Sequence, residues 1–464
     1  MRPTRAQLEA CARALAEVLA PNQLRVDPDV LADYGHDESD LGTTPADLVV
    51  LAETTAQVSQ VLRIARAHRV PVTPCGARSG KSGGSMPVQG GLVLSIERMR
   101  AIKQISVEDL TAVVEPGVIT GDLMKAAEEV GLFYPPDPNS WEMCTMGGNV
   151  AENAGGPRAL KYGVTRDYVI GLEWVLPDGE VIRVGRRTIK GVAGYDLVGL
   201  FVGSEGTLGI ATEITVQLIP KPRVVQTALL LFPDVRAAAR AVTAILAGGI
   251  LPRTLELLDD VSIRAVDGRG YNFPPGTGAA VIAETDGPEK EAVFAELAQA
   301  GDIASAHGAT ETLLAESEEQ RERLWAARRT LSTSLRALKR HKLSEDIAVP
   351  RSRIPETIDR LKALGAELGL TVATYGHAGD GNLHANILFD SSEQRPLVDQ
   401  ALHRMAELAV AVGGTITGEH GVGLAKKDLL PLEQSDQVLA LQRRLKGLLD
   451  PDGLLNPGKI FNSP

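Results

Sequence analysis

Short β-rich segments alternate with helical stretches and glycine-rich loops from about residue 45 to residue 220. Runs such as Leu48-Val-Val-Leu51 and Leu92-Val-Leu-Ser-Ile96 have the apolar and β-branched composition of buried strands. Beyond residues 219–222 (Ile-Pro-Lys-Pro) the composition of the sequence changes, and alanine-rich helical segments separate the strand-like runs. The two prolines predict a domain boundary, since neither can donate a hydrogen bond to a sheet. The pattern as a whole indicates an α+β chain.

The length of the chain, 464 residues, allows two or three domains with substantial cores. We predict a first domain over residues 1–220, a second α+β domain over 221–415 and a C-terminal segment over 416–464. A helix is predicted over about 434–449 in that last segment. The tail beyond it contains too much proline and glycine to be helical.

Charge and cysteine content argue against several classes of protein. The formal net charge of -11 disfavours a nucleic-acid or anionic-membrane partner, because both select basic surfaces. Three scattered cysteines make a disulfide scaffold improbable and exclude an iron-sulfur cluster held by four cysteines of this chain. No apolar run approaches the roughly 20 residues that a membrane span needs. We expect a soluble protein of a reducing compartment, the cytoplasm, that is not an integral membrane protein.

Two histidines in the stretch His-Ala-Gly-Asp-Gly-Asn-Leu-His, residues 377–384, give the strongest chemical signal. The flanking β-rich runs and the Asp-Gly pair at 380–381 predict a hairpin with a two-residue loop. In that register His377 faces His384, and Asn386 lies on the same face opposite Tyr375. Directly opposed Cβ atoms are roughly 5 Å apart, so both imidazoles can bind one metal ion.

A third metal ligand is predicted in the sequence Gly-Glu-His-Gly at residues 418–421, where glycines allow close approach of the backbone. A single histidine in a strand is more often structural than a ligand. Opposed histidines together with Glu419 and His420 favour a mixed nitrogen and oxygen site for catalytic zinc, manganese or iron(II).

Residues 76–82, Gly-Ala-Arg-Ser-Gly-Lys-Ser, look like a nucleotide-triphosphate P-loop but are one residue too short. Exposed backbone N–H groups in such a loop can still bind a pyrophosphate, with Arg78 and Lys81 adding charge. Glycines and short polar residues recur at 134–138, 145–156 and 203–210, which suggests a long cofactor along one domain. None of these loops matches the Gly-x-Gly-x-x-Gly fingerprint, so a Rossmann NAD site is not supported.

Together these motifs resemble the vanillyl-alcohol-oxidase type of FAD-binding fold, and within it the D-2-hydroxy-acid dehydrogenases. That branch includes the glycolate oxidase catalytic subunit, D-lactate dehydrogenase and D-2-hydroxyglutarate dehydrogenase. The resemblance covers residues 40–461. It implies a two-part FAD-binding domain, then an α+β substrate domain with an antiparallel sheet. It also implies that the C-terminal segment completes the active site, packs on the FAD domain and returns its tail to the flavin.

The resemblance implies that FAD is bound without a covalent link, since the pyrophosphate loop contains no histidine. The implied FAD-binding residues are Gly76, Ala77, Arg78, Ser79, Gly80, Lys81, Ser82, Asp137, Thr145, Gly148, Asn149, Ala154, Gly155, Gly206, Ile210 and Asn456.

The resemblance also assigns roles around the metal. His377, His384 and Glu419 match the metal ligands, and His420 matches the general base. The implied substrate-binding residues are Arg328, Ser332 and Asn386. Lys342 is expected to be displaced from the position where hydroxyglutarate enzymes hold a distal carboxylate, which disfavours a dicarboxylic substrate.

The implied reaction is oxidation of a small D-2-hydroxy acid, of the D-lactate or glycolate type, to the 2-oxo acid. It would use FAD and a divalent metal, zinc or manganese, and a separate electron acceptor: an electron-transfer protein, a cytochrome or a quinone-linked partner. A homodimer is compatible with this reading. Four alternatives stay open: D-2-hydroxyglutarate dehydrogenase, an oxygen-using alcohol oxidase of the same fold, a metal-dependent hydrolase, and a non-catalytic subunit.

Overall fold

The computed structural model describes residues 2–268 and 272–462. The chain divides into two compact units. The first unit contains Met1–Gly155, Val164–Lys221 and Glu419–Pro464, and the second contains Gly156–Gly163 and Pro222–Gly418.

In chain order, the elements up to residue 220 are α1 (Arg5–Ala16), β1 (Leu24–Arg25), α2 (Pro28–Asp33), β2 (Leu48–Leu51), α3 (Thr55–Ala67), β3 (Val72–Cys75), β4 (Leu92–Ser95), β5 (Ile102–Ser106), β6 (Thr111–Val114), α4 (Thr120–Glu129), β7 (Leu132–Phe133), α5 (Met146–Glu152), α6 (Ala159–Tyr162), α7 (Thr165–Tyr168), β8 (Val169–Val175), β9 (Val181–Gly185), α8 (Leu197–Phe201), β10 (Ile210–Gln217) and β11 (Ile219–Pro220). The later elements are β12 (Val224–Phe232), α9 (Val235–Ala247), β13 (Thr254–Asp259), α10 (Asp260–Val266), β14 (Ala279–Gly287), α11 (Lys290–Ala306), β15 (Glu311–Leu314), α12 (Glu318–Arg329), α13 (Leu331–Leu335), β16 (His341–Ala348), α14 (Ile354–Leu368), β17 (Thr371–His377), β18 (Asn382–Phe389), α15 (Arg395–Ala411), α16 (Leu430–Glu433) and α17 (Asp436–Leu449), with short 3-10 turns at Arg351–Arg353 and Ser392–Gln394.

The first unit contains a four-stranded sheet in the order β1-β2-β4-β3 and a five-stranded antiparallel sheet in the order β5-β6-β10-β8-β9. Strands β2, β4 and β3 run parallel, and their apolar side chains pack with those of α1 and α3. Both helices begin at a threonine whose hydroxyl accepts a backbone N–H, Thr4 for α1 and Thr54 for α3. In the tail, Leu455 forms a parallel bridge with Val72 and joins the same core.

The second unit is built on a seven-stranded antiparallel sheet in the order β15-β12-β14-β13-β17-β18-β16. One face of the sheet packs against α9, α11, α14 and α15 through a large apolar cluster. A smaller cluster joins the other face to α10, α12 and α13. Because side chains alternate along a strand, residues with polar chemistry at every second position share one face. The face that carries α10, α12 and α13 also carries Glu256, Lys342, Asp346, His377, His384 and Asn386.

The predicted α+β class is confirmed, and the predicted C-terminal helix is α17, Asp436–Leu449. Within the described residues, no helix has both the length and the apolarity to cross a membrane.

Candidate active site

The hairpin at residues 371–389 forms, but its predicted register is wrong. Tyr375, not His377, pairs with His384, and Asn386 pairs with Ala373 instead of Tyr375. The connection between the strands has four residues, Ala378 to Gly381. Within it, the backbone N–H groups of Asp380 and Gly381 both donate hydrogen bonds to the carbonyl of His377. The register differs from the predicted one by two residues, an even number, so each side chain keeps its predicted face.

The shifted register still brings the predicted metal ligands together. The ring centroids of His377 and His384 are 5.3 Å apart. Glu419 is the third member of this group: one ligand atom from each of His377, His384 and Glu419 lies within 4.8 Å of the others. Two imidazoles and one carboxylate form a donor set suited to a divalent metal with open coordination positions.

Glu256 fixes the orientation of His377. It lies on β13 directly opposite His377, and its Oε1 is 2.5 Å from the Nδ1 of that ring. Its other oxygen accepts a hydrogen bond of 2.7 Å from the Nε of Arg328. Burial raises the pKa of Glu256, but His377 and Arg328 outweigh this effect and lower it to about 2. The ionised carboxylate therefore favours the tautomer with a proton on Nδ1, in which Nε2 is the nitrogen that can act as a metal ligand.

Asp346 supports the other histidine and the segment that leads to Glu419. This fully buried carboxylate lies on β16 opposite His384, with 3.8 Å between Asp346 Oδ1 and the ring Nδ1. It also accepts hydrogen bonds from the Thr417 hydroxyl and the Gly418 N–H, at 3.1 and 2.9 Å. A Cβ atom at Gly418 would lie 2.2 Å from the side chain of Asn382, so only glycine fits there.

The predicted substrate residues gather on the same sheet face, together with a lysine. The guanidinium of Arg328 lies 4.7 Å from the ring centroid of Tyr375. Lys342 donates hydrogen bonds to the Ser332 hydroxyl at 2.8 Å and to the side-chain oxygen of Asn386 at 3.2 Å. The expectation that Lys342 is displaced from this group is therefore wrong. Every second side chain of its strand, β16, lies on the face of the site. Lys342 precedes Asp346 by four residues, so both side chains lie on that face.

His420 lies in the first unit, directly after Glu419. Its side chain is 20% exposed, and its Nε2 is 4.0 Å from a Glu419 oxygen. The loop that follows is fixed by Glu205, whose two carboxylate oxygens accept the N–H groups of Val422 and Gly423 at 2.8 and 2.6 Å.

The residues predicted to bind FAD all lie in the first unit, and several of their loops meet. A Cβ atom at Gly76 would lie 2.5 Å from the Thr145 hydroxyl, which caps α5. Asn456 of the tail donates hydrogen bonds to the carbonyls of Gly84 and Glu205, at 3.1 and 2.8 Å. Next to Glu205, Gly206 has a φ of +64° and lies against Pro74.

Two features of these loops fit the binding of a polar ligand. The hydroxyl oxygens of Ser82, Ser85 and Ser204 are buried without a hydrogen-bond partner among the described residues. Left-handed backbone at non-glycine residues also concentrates here, at Arg78, Asn153, Glu205, Asn456 and Ile460. Unsatisfied donors and strained, glycine-rich loops fit the pyrophosphate and polar edges of FAD.

Several of the other predicted FAD residues have structural contacts of their own. Arg78 donates to Asp33 at 2.9 Å and lies 4.2 Å from the Tyr34 ring centroid. Asn149 donates to the Thr120 hydroxyl at 2.7 Å, and Ile210 belongs to the apolar core. The positions of the remaining ones are the loop after β3 (Ala77, Ser79, Gly80, Lys81), the segment before α5 (Asp137), α5 itself (Gly148) and the turn after it (Ala154, Gly155).

Sequence reasoning missed Glu256 and Asp346, and it placed Glu205 in the predicted cofactor loop at 203–210 without a role in holding residues 422 and 423. Glu256 is separated from His377 by 121 positions along the chain, so no local pattern pairs them. A weak signal exists for Glu256, since it interrupts the apolar run Thr-Leu-Glu-Leu-Leu at 254–258.

Comparison with known proteins agrees with this geometry. The family model described as "FAD binding domain" matches residues 46–185, and the one described as "FAD linked oxidases, C-terminal domain" matches residues 221–460. Glycolate oxidase subunit GlcD of Bacillus subtilis is 43% identical over 431 residues, which cover 92% of each chain. D-lactate dehydrogenase of Anaerostipes hadrus is 34% identical over 453 residues, covering 95% of each chain. The structure of p-cresol methylhydroxylase superposes with a TM-score of 0.82 at 18% identity, covering 99% of this chain and 98% of the other.

The chain therefore belongs to the FAD-linked oxidases and has the vanillyl-alcohol-oxidase type of fold, which confirms the resemblance seen in its motifs. It is an FAD-dependent oxidoreductase similar to glycolate oxidase subunits and D-lactate dehydrogenases.

Proposed function

We propose that this protein oxidises a small D-2-hydroxy acid, of the D-lactate or glycolate type, to the 2-oxo acid. The observation that carries the proposal is the convergence of a His-His-Glu donor set with Arg328, Ser332 and Asn386. The similarity to glycolate oxidase subunits and D-lactate dehydrogenases supports the same substrate class.

The roles follow from the chemistry of the reaction, which removes a proton from the hydroxyl and a hydride from the α-carbon. A divalent metal held by His377, His384 and Glu419 would supply a Lewis acid that acidifies the hydroxyl. FAD, held by the loops of the first unit, supplies the hydride acceptor when bound. His420 accepts the hydroxyl proton, because imidazole is the side chain best suited to proton transfer near neutral pH. Arg328 binds the substrate carboxylate, and electrons then leave to a separate acceptor.

The test is anaerobic reduction of the FAD-loaded protein by D-lactate, glycolate, D-2-hydroxyglutarate and L-lactate in separate reactions. One D-acid or glycolate should bleach the flavin absorption rapidly, and removal of metal with a chelator should abolish the bleaching until metal is restored. A yellow, metal-loaded protein that none of these acids reduces would contradict the proposed substrate class.

His420→Ala should lower the rate of flavin reduction by about 100-fold or more, because the general base is lost, while FAD content stays unchanged. His403→Ala is the matched control, since that histidine is half-exposed on α15. Reduction of the His420→Ala protein at the wild-type rate would show that another group takes the proton.

A second substrate, a D-2-hydroxy dicarboxylic acid, is favoured by Lys342. Its buried ammonium lies beside Ser332 and Asn386, where it could bind a second carboxylate. In that case Lys342→Met should raise the KM for D-2-hydroxyglutarate by about 10-fold or more and leave the KM for D-lactate unchanged. Lys339→Met, at an exposed lysine that pairs with Asp390, provides the control.

A further inference from the structure

A single carboxylate, that of Glu205, binds the loop that follows His420. Val422 and Gly423 each donate a main-chain N–H to Glu205, one to each oxygen, so that the carboxylate spans two consecutive peptide groups. Two hydrogen bonds of 2.8 and 2.6 Å to the two oxygens of one side chain fix both the position and the tilt of the chain.

Glu205 is itself immobilised through its backbone. Its N–H donates to the carbonyl of Ala151 on α5 at 2.8 Å, and its carbonyl accepts from Asn456 at 2.8 Å. Its φ of +51° is in the left-handed region, which a non-glycine residue occupies only when the surroundings enforce it. The side chain therefore projects from a rigid base and is buried, with 7% exposed.

The opposite side of the loop is equally restricted. The carbonyl of Ser82 accepts the N–H groups of Leu424 and Ala425, at 2.8 and 3.1 Å. A Cβ atom at Gly423 would lie 2.3 Å from that carbonyl oxygen. Gly421 has a φ of +82°, and a Cβ atom there would lie 2.3 Å from Glu152 Oε2 and 3.2 Å from Glu205 Oε1, so the loop passes both carboxylates closely only with glycine at this position. Because these hydrogen bonds fix the chain from residue 422 onward, the position of His420, two residues earlier, depends on them.

We infer that Glu205 is a positioning residue for the reaction: by binding the peptide N–H groups of Val422 and Gly423, it sets the position of His420 relative to the FAD-binding loops. This inference rests on the proposed function of His420 as the base. Glu205 does not contact substrate in this role, and it acts through the main chain of residues 421–423.

The test uses Glu205→Gln in the FAD-loaded protein. An amide has one oxygen, so only one N–H of the pair keeps its acceptor and the other faces an NH2 group. The rate of flavin reduction at saturating substrate should fall by about 10- to 100-fold, while the apparent substrate Kd and the FAD content change by less than about 3-fold. Hydrogen exchange in peptides covering 419–425 should accelerate. Glu213→Gln is the matched control, since this glutamate of β10 pairs with Lys103 and Arg183 instead of a loop.

Glu205→Asp is a second variant that keeps the test informative if Glu205→Gln misfolds. It retains two carboxylate oxygens and should recover part of the rate of flavin reduction that Glu205→Gln loses. Unchanged exchange at 419–425, or accelerated exchange with a wild-type rate of flavin reduction, would overturn the inference. A wild-type protein that no 2-hydroxy acid reduces would overturn the proposed function instead. The exchange data in that case would still decide whether Glu205 holds the loop.

Discussion

A buried carboxylate next to a histidine decides which ring nitrogen is available for other chemistry. Glu256 does this for His377 and at the same time binds Arg328, so a single side chain orients a predicted metal ligand and a predicted substrate-binding residue. Both contacts are desolvated, because Glu256 is fully buried and Arg328 is 7% exposed. Removal of the carboxylate would leave a buried guanidinium without this partner, and the histidine would be free to change tautomer.

Glu256→Gln should therefore weaken metal binding by about 10- to 100-fold without changing FAD content. Metal affinity can be measured by calorimetric titration of chelator-treated protein with zinc or manganese. The control is Glu284→Gln, a buried glutamate of the neighbouring strand that accepts hydrogen bonds from Thr227 and Trp325. Equal metal affinity of the wild-type and Glu256→Gln proteins would mean that the carboxylate does not control His377.

The candidate His-His-Glu group could be predicted from sequence, and the carboxylates that support its histidines could not. His377, His384 and Glu419 are conspicuous because they lie in short glycine-framed motifs. Glu256 and Asp346 approach those motifs only through sheet pairing between strands that are distant in the chain. The error on Lys342 has the same origin, since its orientation depends on β16, a strand whose mixed polar sequence gives no clear alternation.

The turn between β17 and β18 determines the geometry of the histidine pair. An Asp-Gly pair is typical of a two-residue turn, which is why the sequence predicts direct opposition of the two rings. Gly381, with a φ of +93°, instead ends a four-residue connection that passes close to Val349. Turn length depends on that tertiary contact, and local sequence does not encode it.

Gly381→Ala should destabilise the protein by about 3 kcal/mol or more, because the new Cβ would lie 2.1 Å from the Val349 carbonyl oxygen in a strained backbone conformation. Gly369→Ala is the matched control: its φ is +66°, and the new Cβ would meet nothing within 4 Å. That variant should lose only about 1 to 2 kcal/mol. Urea unfolding gives both free energies, and equal losses would contradict a close contact between the turn and Val349.

A buried lysine near the C-terminus, Lys459, is expected to couple the stability of the protein to pH. Lys459 of the tail is 4% exposed and donates to the carbonyl of Met86 and the side chain of Asn456. Burial lowers the pKa of Lys459 to about 7, although Asp37 and Glu205 act in the opposite direction. Between pH 7 and the ordinary lysine value of 10.5, the unfolded chain keeps a proton that the folded chain has released.

The free energy of unfolding should therefore rise with pH across this window, by at most about 1.4 kcal/mol per pH unit from this group. Lys459→Met should lack that contribution, so the difference between wild-type and variant stability should grow in favour of the wild type from pH 7 to pH 9. Lys339→Met, at an exposed lysine, is the control. Parallel stability curves for wild-type and Lys459→Met proteins would show that Lys459 keeps its charge when folded.

The short segment Gly156–Gly163 belongs to the second unit, although the chain on both sides of it belongs to the first. Lys161 and Tyr162 bind the buried carboxylate of Asp286, and Leu160 packs where a Cβ atom of Gly379 would lie, in the turn between the two histidines. A gene fusion that joins residues 1–221 of one family member to the remainder of another would combine residues 156–163 of the first protein with the second unit of the other protein. Recombination between relatives should therefore yield working chimeras only when residues 156–163 are inherited together with the substrate domain that they complete.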